Sequence, residues 1–471
     1  MSLDLTLASQ RLISVSTVSD TGNLEALPLL YDLMQGMGLT VTLIPASSGG
    51  SEHATMVARM GPETGGGLML ASHIDTADPG EWDRWTICEG DPFNPVVKDG
   101  RLYGLGAAGG KIDWLAKVEA VRRLDALALK KPVYIVATWG EQMGLLGARQ
   151  LVENGAVLPE FACVGEPTGL TVVNASKGCV AIRFRLRDKR MREPAAGKAL
   201  YRITCQGTPA HSATPVMGDS AILRALALLT GADGRVVNGC DIVSFHGGDA
   251  FNRVPDRCEI DVMGVPASIE AGCVGKISVN QITRVVSGVR INRMVEAMGT
   301  LHTSLMLLAS SLEPQQDPSF DPPGVVLNLG TARSYSDHLD FSLDLRLLPG
   351  HDYRDIMEWM QRAIGQLADR FPNIEIDGGL AMRADPMFTP PDSRLVQTAL
   401  QASVEAGLGD RLATVSSATE GGVYNHAGIQ TVLFGPGPIS GSVLHPDEYV
   451  EIESVGRAVG FYEALVRRLC L

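Results

Sequence analysis

A chain of 471 residues that is 45% hydrophobic and 20% charged can bury a sizeable core and has the length of two or three domains. Its formal net charge of −13 argues against nucleic acid or an anionic membrane surface as a partner, since either would want clustered Lys and Arg, and leaves small molecules as ligands. The eight cysteines form no CxxC pair, so they read as reduced, buried thiols. With no basic-then-apolar leader and no apolar run of about 18 residues, a cytoplasmic protein is expected.

Along the chain, short apolar runs (68–72, 132–138, 161–165) alternate with helical stretches (111–125, 144–154), the pattern of a mainly parallel α/β sheet flanked by helices. In such sheets the chemistry sits just past the carboxyl ends of strands. His73 and Asp75 follow the first run, Glu141 and Gln142 the second, Glu166 the third, so one crevice should collect them. After Gly178 the segments alternate polar and apolar residues and antiparallel pairing is expected. Two stretches in this region, 247–262 and 327–350, read as the same strand pair occurring twice. Parallel-sheet character resumes near Pro386.

Several motifs carry a resemblance. Leu70-Ala71-Ser72-His73-Ile74-Asp75-Thr76, Asp91-Pro92-Phe93, Asp99-Gly100-Arg101-Leu102-Tyr103, Gly165-Glu166-Pro167-Thr168, Gly207-Thr208-Pro209-Ala210-His211-Ser212 and His445-Pro446-Asp447-Glu448-Tyr449 resemble the acetylornithine deacetylase and succinyl-diaminopimelate desuccinylase family of metallopeptidase-like amidohydrolases. The resemblance implies a catalytic domain made of 1–178 plus 385–471 and an inserted α+β lid at 179–384. That lid is longer than the family's by roughly 70 residues, and it implies a homodimer formed through the lids.

In that family two metals about 3.5 to 4 Å apart share a bridging aspartate. Here Gly104-Leu105-Gly106-Ala107-Ala108-Gly109-Gly110-Lys111 stands where the family has Gly-Leu-Gly-Thr-Ala-Asp-Met-Lys, so Gly109 replaces the bridge, and Gln142 replaces the second glutamate of a Glu-Glu pair. His73, Glu166 and His445 keep the remaining ligand positions. Two zinc ions bring four positive charges against Glu166 alone, and an uncompensated surplus in a crevice is costly. The expectation is at most one zinc per chain, held by His73, Glu166 and His445, or none.

The remaining roles also come from the resemblance. Glu141 takes the place of the general base and Asp75 that of the carboxylate orienting His73. His211 takes the place of the lid histidine that polarises the scissile carbonyl. Asn252, Arg253 and Arg346 are candidates for gripping a substrate carboxylate, since Arg offers a two-pronged donor. Glu420, in Thr419-Glu420, resembles the acetylornithine deacetylase branch, where an acidic residue lies near the substrate. Three functional readings follow: an amidohydrolase of a small N-acyl amino acid with a reduced metal site; a metal-free enzyme doing acid–base chemistry (cyclisation, elimination or acyl transfer) on an amino-acid-derived metabolite; and a silent binding or partner protein.

Overall fold

The structure is a computed structural model that describes residues 3–157, 159–283, 289–312, 316–439 and 445–471. The chain divides into two compact units, 1–176 with 384–471, and 177–383. Among the described residues no helix is long and apolar enough to cross a membrane.

The first unit is built on a nine-stranded mixed sheet. Its strands run in the order Thr40–Ser48, Ser51–Met60, Val133–Thr138, Leu68–His73, Phe161–Gly165, Gln430–Phe434, Val172–Ser176 and Met387–Phe388, with Leu412–Val415 paired to Val172–Ser176. The middle is parallel: Leu68–His73 runs beside both Val133–Thr138 and Phe161–Gly165, and Gln430–Phe434 beside Phe161–Gly165. The strands at either side are mostly antiparallel. Every residue of Leu68–His73 and Phe161–Gly165 is buried, which is why these strands read as continuous apolar runs rather than alternating ones.

Helices Leu5–Ile13, Gly110–Arg122, Arg394–Glu405 and Ile452–Cys470 supply the apolar layer on this sheet. Gly110–Arg122 is buried all round and carries four buried charged residues, each of which must find a partner. The Lys117 ammonium donates to the Ala71 carbonyl (2.7 Å) and the Ser72 hydroxyl (2.9 Å) and pairs with Asp113 (2.7 Å). Tyr462 closes the network by donating to Asp113 and to the Phe434 carbonyl. This lock fixes the helix against Leu68–His73, whose end carries His73, and against Gln430–Phe434.

The second unit is an eight-stranded sheet with helices. In chain order its elements are β1 (Gly178–Asp188), β2 (Leu200–Gln206), α1 (Ala221–Leu229), β3 (Asp241–Gly247), β4 (Arg257–Met263), α2 (Ala267–Gly272), β5 (Ile277–Gln281), α3 (Asn292–Ser311), β6 (Val326–Ser334), β7 (Leu339–Leu347), α4 (Tyr353–Arg370) and β8 (Ile374–Ala384). The sheet order is β5-β2-β4-β3-β6-β7-β1-β8. A single apolar cluster runs through the unit.

Candidate active site

Three adjacent parallel strands of the first unit end at the same edge, and the residues that follow them line the candidate site. His73 closes Leu68–His73, and Trp139-Gly140-Glu141-Gln142 follow Val133–Thr138. Glu166 follows Phe161–Gly165. The expectation that Glu141, Glu166 and the His73–Asp75 pair share one strand edge therefore agrees with the topology.

His73 is buried. Its Nδ1 lies 3.0 Å from the Asp75 carbonyl and 3.5 Å from the Asp75 carboxylate. Burial opposes charge on the ring, yet Asp75 and the Glu141 carboxylate push the imidazole pKa well above its usual value. Burial likewise opposes ionisation of Asp75, but the His73 contact and the Ser19 hydroxyl (2.6 Å) hold it below the ordinary carboxylate range. The backbone N–H of Gln142 also points at Asp75 (3.4 Å). The pair is thus an imidazolium–carboxylate couple whose ring is fixed by its neighbour.

Glu166 sits partly exposed, but its Oε1 is shut off from solvent and has no hydrogen-bond partner among the described residues. Burial first, and repulsion from Glu141 second, push its pKa up to about 8. Glu420, at the N-terminus of helix Glu420–His426, is wholly buried, and among the described residues neither carboxylate oxygen closes a hydrogen bond of ordinary geometry, although the Thr138 hydroxyl faces it. Burial pushes its pKa up to about 7. Near neutral pH Glu166 therefore rests largely as the neutral acid, while Glu420 is divided between its neutral and ionised forms.

Tyr424 lies one helical turn after Glu420, is wholly buried, and its hydroxyl has no partner among the described residues. Sequence reasoning passed over Tyr424 and Thr138. The signal was available in Thr419-Glu420-Gly421-Gly422-Val423-Tyr424, where the aromatic falls four residues after the acid. Glu448 was quoted only as part of a motif. Its carboxylate accepts from the Ala108 N–H (2.8 Å), is held by the backbone at Gly106 and Gly109 as well, and is pushed by burial up to about 7. It pins the loop that contains Gly109.

The metal positions can be tested against these side chains. Gly109 caps helix Gly110–Arg122 in an extended conformation and offers no side-chain donor. Gln142 donates its amide to Glu141, so a pair of repelling carboxylates has become a donor and an acceptor. His445 is exposed, and the neighbouring Asp447 is engaged with Thr86 and the Ile87 N–H. Among the described residues no three His, Cys, Asp or Glu side chains converge to hold a metal. The expected set of His73, Glu166 and His445 is therefore not assembled as a site, because His445 stands at the surface and joins no such group.

In the second unit, His211 is exposed at one edge yet surrounded by protein elsewhere. Burial and the Arg346 charge lower its pKa to about 4. Its Nδ1 accepts from the Ala213 N–H (3.0 Å), which leaves the proton of the neutral ring on Nε2 as an outward donor. Arg346, expected to grip substrate, is buried and engaged inside the unit: it pairs with Asp344 (2.7 Å) and donates to the Ser212 hydroxyl (3.0 Å). Arg253 pairs with Asp249 (2.8 Å) and Asp256 (3.4 Å) at the surface. The Asn252 carbonyl accepts from the Ser212 N–H (3.0 Å).

A profile of Peptidase family M20/M25/M40 matches residues 69–468, and the chain belongs to that family. Solved structures share its fold over nearly all of both chains. Aminoacylhistidine dipeptidase from Vibrio alginolyticus is 15% identical, with 99% of this chain and 96% of that one covered and a TM-score of 0.65. A tripeptidase from Staphylococcus aureus is 17% identical, with 99% and 97% covered and a TM-score of 0.56. A dinuclear metal-binding M20 peptidase from Bacillus subtilis is 13% identical, with 99% and 97% covered and a TM-score of 0.51.

Proposed function

We propose that the chain is an M20-fold enzyme that performs acid–base chemistry at the amide of a small N-acyl amino acid or a related amino-acid-derived substrate, without the family's metal pair. One observation carries the reading: the strand-end acid–base groups persist at Glu141, Glu166 and His73–Asp75, while the positions that would hold two metals carry Gly109 and a Gln142 turned onto Glu141.

The roles follow from charge state. Glu141 is the acceptor, taking a proton from water or from a nucleophile within the substrate as that group adds to the acyl carbon. Neutral Glu166 and the His73 imidazolium are the donors, positioned to stabilise charge developing on the carbonyl oxygen and to return a proton to the departing nitrogen. The likeness of Thr419-Glu420 to the acetylornithine deacetylase branch supports an N-acylated basic amino acid. A buried, unpartnered carboxyl is what an arriving cationic group would ionise and pair with.

The test is turnover of a panel of N-acyl amino acids and dipeptides by protein dialysed against a chelator. Chelator-insensitive activity that falls with Glu141→Gln supports the reading. Activity that appears only when a divalent metal is added back would overturn it, and no turnover of any member would leave a binding protein as the better account.

A further inference from the structure

The turn that carries Glu141 is closed at its base by Trp139, whose carbonyl accepts from the Gly147 N–H (2.9 Å). Inside that closure the Gly140 carbonyl accepts from Leu146 (3.1 Å) and the Glu141 carbonyl from Gly144 (3.2 Å). A Cβ on Gly147 would meet the Trp139 backbone N and O at 2.7 Å, so helix Leu146–Glu153 lies directly against this residue. Leu145, just before that helix, has φ +63°, a left-handed conformation that a residue other than glycine keeps only where its surroundings impose it. The shape of the turn therefore depends on what holds Trp139.

The Trp139 side chain is held by an edge hairpin of the same sheet, Thr40–Ser48 with Ser51–Met60. The His53 ring lies on the indole, with centroids 4.2 Å apart and planes 19° from parallel, and both residues are buried. The indole N–H donates to the Gln150 side chain (3.4 Å), whose amide donates in turn to the Pro45 carbonyl (2.8 Å). These two braces come from one place on the hairpin, since His53 stands opposite Ala46 and Ala54 opposite Pro45. Asn23 pins that place: its side chain donates to the Ala54 carbonyl and accepts from the Ala54 N–H, both at 2.9 Å.

Hydrogen bonding does not account for the histidine. Burial lowers its pKa, so the ring is neutral, and the Ser48 backbone faces one edge of it. The Nε2 atom is shut off from solvent and has no partner among the described residues. A buried acceptor without a donor is costly, and a histidine kept for its polar atoms would not leave one. The contact the ring makes in full is the one through its face.

We propose that His53 is a positioning residue for the acid–base chemistry: its ring is the plate on which Trp139 is seated, and through Trp139 the edge hairpin sets where the Glu141 carboxylate points. The other side of the turn is held by Asp75, which accepts from the Gln142 N–H (3.4 Å) and also orients His73. Seating Trp139 thus keeps the proton acceptor and the imidazolium in a fixed relation. The proposal rests on Glu141 being that acceptor.

Two readouts on the full-length protein test it, and one needs no substrate. In His53→Ala, amide hydrogen exchange across 140–147 should quicken by about tenfold, the scale of one lost aromatic contact, with exchange in Leu68–His73 unchanged. His53→Phe keeps a flat ring and should restore the slow exchange. On an N-acyl amino acid that the parent turns over, His53→Ala should lower kcat by up to about 10²-fold with KM unchanged, and His53→Phe should recover most of it. Combined with Trp139→Leu, His53→Ala should add little, because both substitutions remove the same contact. Parental exchange across 140–147 in His53→Ala, a raised KM in place of a lowered kcat, or additive effects in the double variant would overturn the proposal, as would a folded His53→Phe that behaves like His53→Ala. A parent that turns over no substrate would instead count against the reading of Glu141, and the exchange result would still decide whether His53 seats the turn.

Discussion

Gly109 faces the imidazole of His73: among the described residues beyond its chain neighbours, a Cβ built on residue 109 would have as its near neighbour the His73 Cε1, at 3.9 Å. The backbone there is extended with φ −92°, which any residue adopts. The position that lacks the bridging carboxylate therefore still has room for one, beside the histidine it would have served.

Gly109→Asp combined with Gln142→Glu should consequently fold, and should bind divalent metal more tightly than the parent chain. An aspartate at 109 also supplies the missing N-cap of helix Gly110–Arg122, worth about 1 kcal/mol. Calorimetric titration with zinc checks this. Absence of binding in the double variant would mean that more than these two ligands has been lost.

The next residue behaves oppositely. A Cβ on Gly110 would lie 1.8 Å from the His73 carbonyl oxygen, a backbone atom that cannot step aside. Gly110→Ala should cost about 3 kcal/mol, at the upper end of overpacking penalties. Urea denaturation of Gly109→Ala and Gly110→Ala side by side reads the contrast.

The pH dependence of stability has a definite sign at Glu420. Its folded pKa, about 7, lies above the unfolded 4.5, so its contribution is fully present below 4.5 and is lost as pH rises towards 7. Glu420→Gln mimics the neutral acid and removes this loss. Between about pH 5 and pH 8 the variant should lose less stability than the parent by on the order of 2 kcal/mol. Parallel pH profiles would contradict the assignment.

Arg346 depends on Asp344 within the second unit. Asp344→Ala leaves a buried guanidinium without its carboxylate and should cost about 3 to 5 kcal/mol. Asp344→Asn, which keeps the Ser212 contact, should cost less. Chemical denaturation of both variants checks the order.

Much of this was legible beforehand because the parallel strands are buried on both faces, so apolar runs mark them and the polar residues after them mark the crevice. His73, Glu141 and Glu166 were found that way. Glu420 came from a motif, but its state did not, since it is burial in the fold that raises its pKa. Tyr424 was missed because a tyrosine on a short helix reads as packing. Arg346 was read as a substrate grip because arginine offers a two-pronged donor, and a sequence does not show that Asp344, two residues earlier on the same strand, turns inward to pair with it. The repeated strand pair was visible at 247–262 and 327–350. The order that sets these strands side by side in one sheet was not, because sheet neighbours are set by pairings distant in sequence.

The most direct test of the proposed chemistry is the turnover number of Glu141→Gln in chelator-dialysed protein, measured on whichever N-acyl amino acid the parent turns over fastest. The substitution keeps size and removes the proton acceptor, so kcat should fall by about 10² to 10⁴ with the circular dichroism spectrum and melting temperature unchanged. A variant that turns over as fast as the parent would show that the strand-end glutamate is not the base and that the crevice does not work as described.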